Sequence, residues 1–306
     1  MTTKVLIDCD PGIDDTLALT LAHAAGELDV LGVTTVGGNV DLEHTTGNAL
    51  KLREYLGFRE VPIAAGSPGA LLHRKERAAD VHGATGLGRA VLPEPELGLD
   101  GRHAADFIID TLAAHPGEVT LIAIGPLTNV ALAVRKEPRV VEWARDFVIM
   151  GGSYTRGNHT PAAEFNIVAD PEAAAIVFDA GWTVTMIGLD LTHQARAGAD
   201  VRERVRGLGR LADELLIPCL TFYGADDPVG PAVHDVCAVA HVLAPGLLEC
   251  VPARVDVETV GRFTTGMTVT DFDAGRPNAL VATRIDVAAF WDLVVDAYAR
   301  VARDLA

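Results

Sequence analysis

Four carboxylates fall within eight positions near the start of the chain: Asp8, Asp10, Asp14 and Asp15, in VLIDCDPGIDDTLALTLA, residues 5–22. An apolar run leads into them and another leads away. Two carboxylates about 4 Å apart repel by roughly 4 kcal/mol at an effective dielectric near 20, so the cluster demands a positive partner. All-oxygen donors suit a hard divalent cation, Ca²⁺ or Mg²⁺, and the neighbouring residues offer no thiolate pair or paired imidazole to prefer zinc. Asp8 and Asp10 are two apart on a predicted strand, so their side chains leave the same face. Pro11-Gly12 turns the chain, and Asp14-Asp15 opens the next helix, where the helix dipole favours negative charge. Standing alone, Asp14 and Asp15 would read as helix-capping residues; four carboxylates together read as a site for a metal. Asp8 reads as the member that orients the others.

The elements that must position these groups are legible as a rhythm. KVLIDC leads into DDTLALTLAHAAG, LDVLGVTTVG into LEHTTGNALKLREYLG, and VPIAAG follows. HAADFIIDTLAAHPG precedes EVTLIAIG and PLTNVALAVRKEP; DFVIMGG, PEAAAIVFDAG and WTVTMIGLD continue the pattern. Short β-branched runs alternating with helical stretches of about 12 residues predict βαβ units. The fold class expected is therefore α/β: an open, mostly parallel, mixed sheet flanked by helices, with a Rossmann-like core. ARVDVETVG and NALVATRID predict further strands of the same sheet, and VAAFWDLVVDAYARVARDLA a last helix. No repeat, linker or low-complexity segment divides residues 1–306, which are read as a single domain. Residues 66–102 and 151–171 break the rhythm as long loops, and such loops in a compact domain are commonly functional. Sites in open parallel sheets lie beyond the carboxyl ends of the strands, where both loops would sit.

Bulk properties narrow the function. Of 306 residues, 49% are hydrophobic and 22% charged, a composition that folds as a globule. Lys and Arg number 25 against 42 Asp and Glu, a formal charge of −17, which would repel nucleic-acid backbones and anionic membranes. The start, MTTKVLIDCD, reads as no secretory signal, and no apolar run has membrane-spanning length. The four cysteines, Cys9, Cys219, Cys237 and Cys250, are scattered without a CxxC pair. They read as reduced core thiols, and the expected compartment is the cytoplasm.

Further motifs are TTVGGNV (34–40), HGATGLG (82–88), IGPLTNVALA (124–133), MGGSYTRGNHTPAAEFNIVADPEAA (150–174) and VHDVCAVA (233–240). Together with DCDPGIDD, and in this order over nearly the whole chain, they resemble the inosine–uridine nucleoside hydrolase family. VDVETVGRFTTGMTVTDF near the C-terminus is similar to it as well. The resemblance implies the nucleoside hydrolase fold and Ca²⁺-dependent cleavage of the N-glycosidic bond of ribonucleosides, giving ribose and a free purine or pyrimidine base. It implies a calcium site of Asp10, Asp15, Asp235 and the backbone carbonyl of Ile124, with Asp10 also the general base. It further implies that Asp14, Asn39, Glu164 and Asn166 grip ribose and that Asn158 and Met150 line the same pocket. His234 is implied as the acid for the leaving base, with His82 near the base. A homodimer or homotetramer, nucleoside catabolism and purine or pyrimidine salvage are implied too.

The residues themselves can be weighed beside that resemblance. Asn39 follows Gly37-Gly38 and would serve as a turn residue, but its place beside the first strand favours a ribose contact. Asn158, Glu164 and Asn166 lie in a polar loop, and EFN supplies closely spaced donors and acceptors of the kind a sugar needs. Of ten histidines, His23, His44, His103, His115 and His241 fall in helical patterns; His73, His159 and His193 fall in loops. His234 immediately precedes Asp235, and imidazole suits proton donation near neutral pH. Tyr223, in the loop TFYGADDPVG, is read as a stacking residue for the base. Direct displacement with inversion at the anomeric carbon is expected, through an oxocarbenium-like state. The 66–102 loop has no tryptophan, which disfavours a purine-stacking specialist and leaves pyrimidine or mixed preference open. Two other readings differ in class. One is a nucleoside-binding sensor with little turnover. The other is a haloacid-dehalogenase-like phosphatase, whose pattern calls for Gly-Thr after the second Asp where this chain has Pro11-Gly12.

Overall fold

The first strand, β1 (Thr3–Cys9), divides its side chains between two apolar layers. Val5, Ile7 and Cys9 enter a core shared with Leu17, Val236 and Phe290; Leu6 enters another with Phe107, Ile108 and Val130. A strand buried on both faces must belong to the middle of a sheet covered by helices on both sides. The computed structural model describes residues 2–72, 79–223 and 229–305 and bears this out.

The other strands are β2 (Leu28–Thr35), β3 (Ile63–Ala65), β4 (Val119–Ala123), β5 (Ala144–Met150), β6 (Val184–Ile187), β7 (Leu248–Val257), β8 (Thr268–Asp271) and β9 (Ala279–Ile285). They form one sheet in the order β3-β2-β1-β4-β5-β6-β9-β7-β8. β1 pairs in parallel with β2 and β4, and parallel pairing continues from β4 through β5 and β6 to β9; β7 is antiparallel to both β9 and β8. The sheet is thus mixed and mostly parallel, as the sequence predicts. β8, four residues long, is too short to have been legible. The chain winds outward in one direction through β2 and β3 and in the other through β4, β5 and β6. The switch point, where such sheets open a crevice, lies between the carboxyl ends of β1 and β4.

Three expected loops hold more structure than their composition suggested. Within 66–102, Ala79–His82 forms a short helix; residues 73–78, and with them His73, lie outside the described residues. Within 151–171, Phe165–Ala169 is helical. Tyr223, assigned by sequence to a loop over 221–233, instead ends the helix Ile217–Tyr223, which continues directly from the π-helical turn Ala212–Leu216. Burial of Leu215, Leu216, Cys219 and Leu220 along one face drives that continuation. Residues 224–228 of that segment lie outside the described residues. Among the described residues no helix is long and apolar enough to cross a membrane.

Candidate active site

Asp10 follows the end of β1 and is fully buried. Its Oδ2 accepts the Asn39 backbone N–H at 2.7 Å, from the turn after β2. Two glycines frame the carboxylate. A Cβ on Gly38 would stand 2.1 Å from Oδ2, and one on Gly125, just past β4, would stand 2.6 Å from Oδ1. The ends of the three central strands therefore build a slot for one carboxylate, and only residues without side chains can form its walls.

Asp15 lies in the first turn of the helix Ile13–Ala24 and does cap it. Its Oδ1 accepts the Asp10 N–H at 2.9 Å and its Oδ2 the Gly12 N–H at 3.0 Å. Asn39 ties the pair together, its Nδ2 donating to Asp15 Oδ2 and to the Asp10 carbonyl, each at 3.1 Å. Asp14, one residue earlier, faces another way. Its Oδ2 accepts the backbone N–H of His234 at 2.8 Å, which joins this helix to the helix His234–Leu243.

Across the crevice, Glu164 caps the helix Phe165–Ala169. Its Oε1 accepts from Asn166 N, and its Oε2 from Gly152 N and Ile167 N, at 2.9–3.1 Å. Asn166 Nδ2 donates to the carbonyls of Ile124 (2.9 Å) and Met150 (3.1 Å), at the ends of β4 and β5. Asn158 Oδ1 accepts the Phe165 N–H at 3.0 Å. His82 Nδ1 accepts the first N–H of the leading helix, from Ile13, at 3.1 Å. That bond leaves the proton of a neutral ring on Nε2. The His82 and Tyr223 rings lie 5.7 Å apart, and Tyr223 meets the His234 ring edge-on at 6.4 Å.

These walls enclose a cavity of about 260 Å³ lined by Asp14, Asn39, His82, Ile124, Met150, Asn158, Glu164, Asn166, Tyr223, His234 and Asp235. Every site residue expected from sequence lines it except Asp10 and Asp15, which are fully buried and bonded to Asn39 of its wall. Val81, His159 and Phe165 complete the lining; nothing in their local sequence distinguished them. Asp8 does not reach the cavity. It follows Leu6 onto the opposite layer, where its Oδ1 accepts from Thr34 Oγ1 (2.6 Å) and Asn129 Nδ2 (2.9 Å).

Burial, reinforced by neighbouring carboxylates, dominates the electrostatics. Asp10 and Asp235 are pushed well above the usual carboxylate range, first by desolvation and then by Asp15. Asp14 rises to about 8, chiefly by burial, although N–H groups of His234 and Asp235 and the Tyr223 hydroxyl temper the shift. Glu164 rises to about 7 for the same reason, against four backbone N–H groups. Burial pushes the imidazoles the other way: His82 to about 4, and His234 to about 3 with His193 adding to the effect. Both rings are neutral near pH 7.

Such a cluster is short of positive charge. Asp10 Oδ1 is buried without a hydrogen-bond partner among the described residues, and at hydrogen-bond distance so is Asp14 Oδ1. Among the described residues, no three His, Cys, Asp or Glu side chains already converge tightly enough to hold a metal ion unaided. The fit to a hard cation lies in donor chemistry and unmet charge: buried carboxylates that raise one another's pKa, with Ile124 in the cavity wall.

Several supporting residues were not singled out from sequence. Asn129, fully buried, bridges Asp8, the Thr35 carbonyl and the Ser67 N–H. Asn48 Nδ2 bridges the carbonyls of Pro11 and Thr85, tying the His82 loop to the first turn. Asp170, in the same motif as Glu164, gathers Leu71 N, Thr128 Oγ1 and Ala173 N. Thr192 Oγ1 lies 2.7 Å from His234 Nδ1. Each links positions far apart in the chain, and only Asp170, the N-cap before Pro171, also carries a local signal.

Comparison with known proteins agrees with this geometry. The family model for inosine-uridine preferring nucleoside hydrolases matches residues 5–292. The chain is 46% identical to the inosine-uridine preferring nucleoside hydrolase of Leishmania major, covering 98% of this chain and 99% of that one. It is 41% identical to the pyrimidine-specific ribonucleoside hydrolase RihA of Citrobacter koseri, covering 97% and 98%. Its fold superposes on the purine-preferring ribonucleoside hydrolase from Gardnerella vaginalis with a TM-score of 0.93 at 31% identity, covering 99% and 100%.

Proposed function

The chain belongs to the inosine-uridine preferring nucleoside hydrolase family, and we propose that it hydrolyses the N-glycosidic bond of ribonucleosides to ribose and free base. One observation carries this reading: a single cavity is lined by carboxylates and carboxamides together with imidazoles and a phenol. The carboxylates and carboxamides suit a sugar's hydroxyls, and the rings suit a flat heterocycle. Asp14, Asn39, Glu164 and Asn166 would hold ribose, with Asn158 and Met150 beside it. His82, its proton confined to Nε2, would donate to an acceptor on the base, and Tyr223 would pack on it.

Asp10, Asp15, Asp235 and the Ile124 carbonyl would hold Ca²⁺, which when bound supplies charge compensation and a lowered pKa for water. The unpartnered Asp10 Oδ1 would take a proton from the attacking water as its oxygen bonds to the anomeric carbon. The C–N bond would break with its electron pair on the base, His234, in the cavity lining, would turn a ring N–H to that developing charge, and the departing base would take up one proton in exchange for the one given to Asp10. A neutral imidazole can perform this task as a hydrogen-bond donor. No covalent sugar–enzyme intermediate is required, so inversion is expected. We further propose a cytoplasmic homodimer or homotetramer acting in nucleoside catabolism.

The test is release of base and reducing sugar from inosine, uridine, cytidine and adenosine, with and without chelator. Turnover of at least one nucleoside, lost in chelator and restored by Ca²⁺, is expected. Asp10→Asn should lower kcat by at least about 10²–10⁴-fold. Tight nucleoside binding without sugar release would mark a sensor instead, and full activity in chelator without bound metal would remove calcium from the reading.

A further inference from the structure

Resting on the role given to His234 above, we propose that Thr192 is the positioning residue of this ring: its hydroxyl donates to Nδ1 and so keeps the ring proton on Nε2, the nitrogen that meets the base. The bond from His234 N to Asp14 Oδ2 fixes the main chain at the start of its helix. It leaves the rotation of the side chain open. Flipping the imidazole about its last side-chain torsion would exchange each nitrogen for a carbon and turn a C–H toward the leaving group. The contact of 2.7 Å between Thr192 Oγ1 and His234 Nδ1 opposes that flip.

Thr192 is well placed to do this. It is fully buried at the end of the short helix Leu189–Thr192, which starts where β6 ends. Its own N–H is already engaged with the Gly188 carbonyl at 3.1 Å, so the backbone that carries the hydroxyl is anchored. The segments leading away from Thr192 and into His234 are zipped together. Ala197 N donates to the Pro231 carbonyl (2.8 Å), Val233 N donates to the Ala195 carbonyl (3.0 Å), and Arg196 and Ala232 form an antiparallel bridge. The distance from hydroxyl to ring is thereby set by backbone pairing. Edge-on contacts from His193 at 5.5 Å and Tyr223 at 6.4 Å limit the tilt of the ring. The hydroxyl decides its rotation and tautomer.

Thr192→Val keeps the branched shape and removes the hydroxyl; Thr192→Ser keeps the hydroxyl and trims the shape. On uridine or inosine, whose bases leave poorly, Thr192→Val should lower kcat by about 10–100-fold, a part of what a positioned acid supplies. KM should change little, and a nitrophenyl riboside, whose leaving group departs unaided, should be cleaved within about threefold of the parent rate. Thr192→Ser should recover most of the loss. In ¹⁵N-histidine-labelled protein, with His234 assigned by its loss in His234→Ala, Nδ1 should resonate as a bare accepting nitrogen and Nε2 as a protonated one. In Thr192→Val the two signals should move toward each other. Unchanged His234 signals in Thr192→Val, a protonated Nδ1 in the parent, or equal losses on both substrates would overturn the proposal. Equal losses in His234→Ala would instead remove the leaving-group role of His234, while the ring spectrum still decides the role of Thr192.

Discussion

Gly38→Ala tests the slot that holds Asp10. The added Cβ would lie 2.1 Å from Asp10 Oδ2 and 2.8 Å from Pro126 Cδ, whereas ordinary contact begins near 3.4 Å. The oxygen would have to retreat by about 1.3 Å, the difference between those two distances. The Asn39 N–H holds Oδ2 in place at 2.7 Å. Gly38 is not among the positive-φ glycines, so backbone strain does not enter and the clash alone carries the effect. A misplacement of about 1 Å at a reacting group can cost about 10²-fold, and that is the fall in kcat expected on uridine or inosine. Overpacking should cost about 1–3 kcal/mol of stability, read from urea unfolding. Ca²⁺ affinity should fall as well, because the same carboxylate is the expected ligand. Gly47→Ala is the control: it lies inside the helix Leu42–Leu56 with nothing within 4 Å of its Cβ position and should leave kcat unaltered. A Gly38→Ala enzyme within about threefold of the parent kcat would refute the reasoning, since the misplacement argument allows no such tolerance.

Three further outcomes follow from the same structure. Nucleosides should be cleaved at least about 10²-fold better, in kcat/KM, than their 5′-monophosphates, because the cavity lining would bury a phosphate among carboxyl groups with no Lys or Arg to receive it; comparable values for uridine and its 5′-monophosphate would contradict this. His82, held near a pKa of about 4, stays neutral when folded while the unfolded ring protonates below about 6.5. Its contribution therefore lowers stability as pH falls from about 6.5 to about 4, by on the order of 2–3 kcal/mol. The stability gap between parent and His82→Asn should shift in favour of the variant by that order between pH 7 and pH 4.5, and a pH-independent gap would show the ring free to titrate. Asp170→Ala should cost about 2–4 kcal/mol, since it removes a helix cap and unpairs buried donors from two other segments; a loss below about 1 kcal/mol by urea unfolding would deny it that bracing role.

Much of the architecture was written locally. β-branched runs ending in Gly or Asp announced the parallel strands, and four carboxylates after the first of them announced where the chemistry would gather, because period-2 and period-3.6 patterns are properties of neighbouring residues. Glu164, Asn166, His234 and Asp235, which the family resemblance picked out through EFN and VHD, line the cavity. What each acid does was not local. Asp8 and Asp10 are two residues apart, yet Asp8 is turned to Thr34 and Asn129 in one layer while Asp10 fills a glycine-walled slot at the strand ends. Asp15 caps its helix as its position suggested; Asp14, beside it, reaches across to the backbone of His234. Tyr223 read as a loop residue because Gly224 and the polar run after it outweighed the apolar face behind it, and packing of Leu216, Cys219 and Leu220 overrode that signal. The partners Asn129 and Thr192 remained hidden because each acts on a residue or segment that is distant in sequence. Local preference selects elements, but only the packed sheet brings their carboxyl ends together, and it is there that four like charges were assigned four different environments.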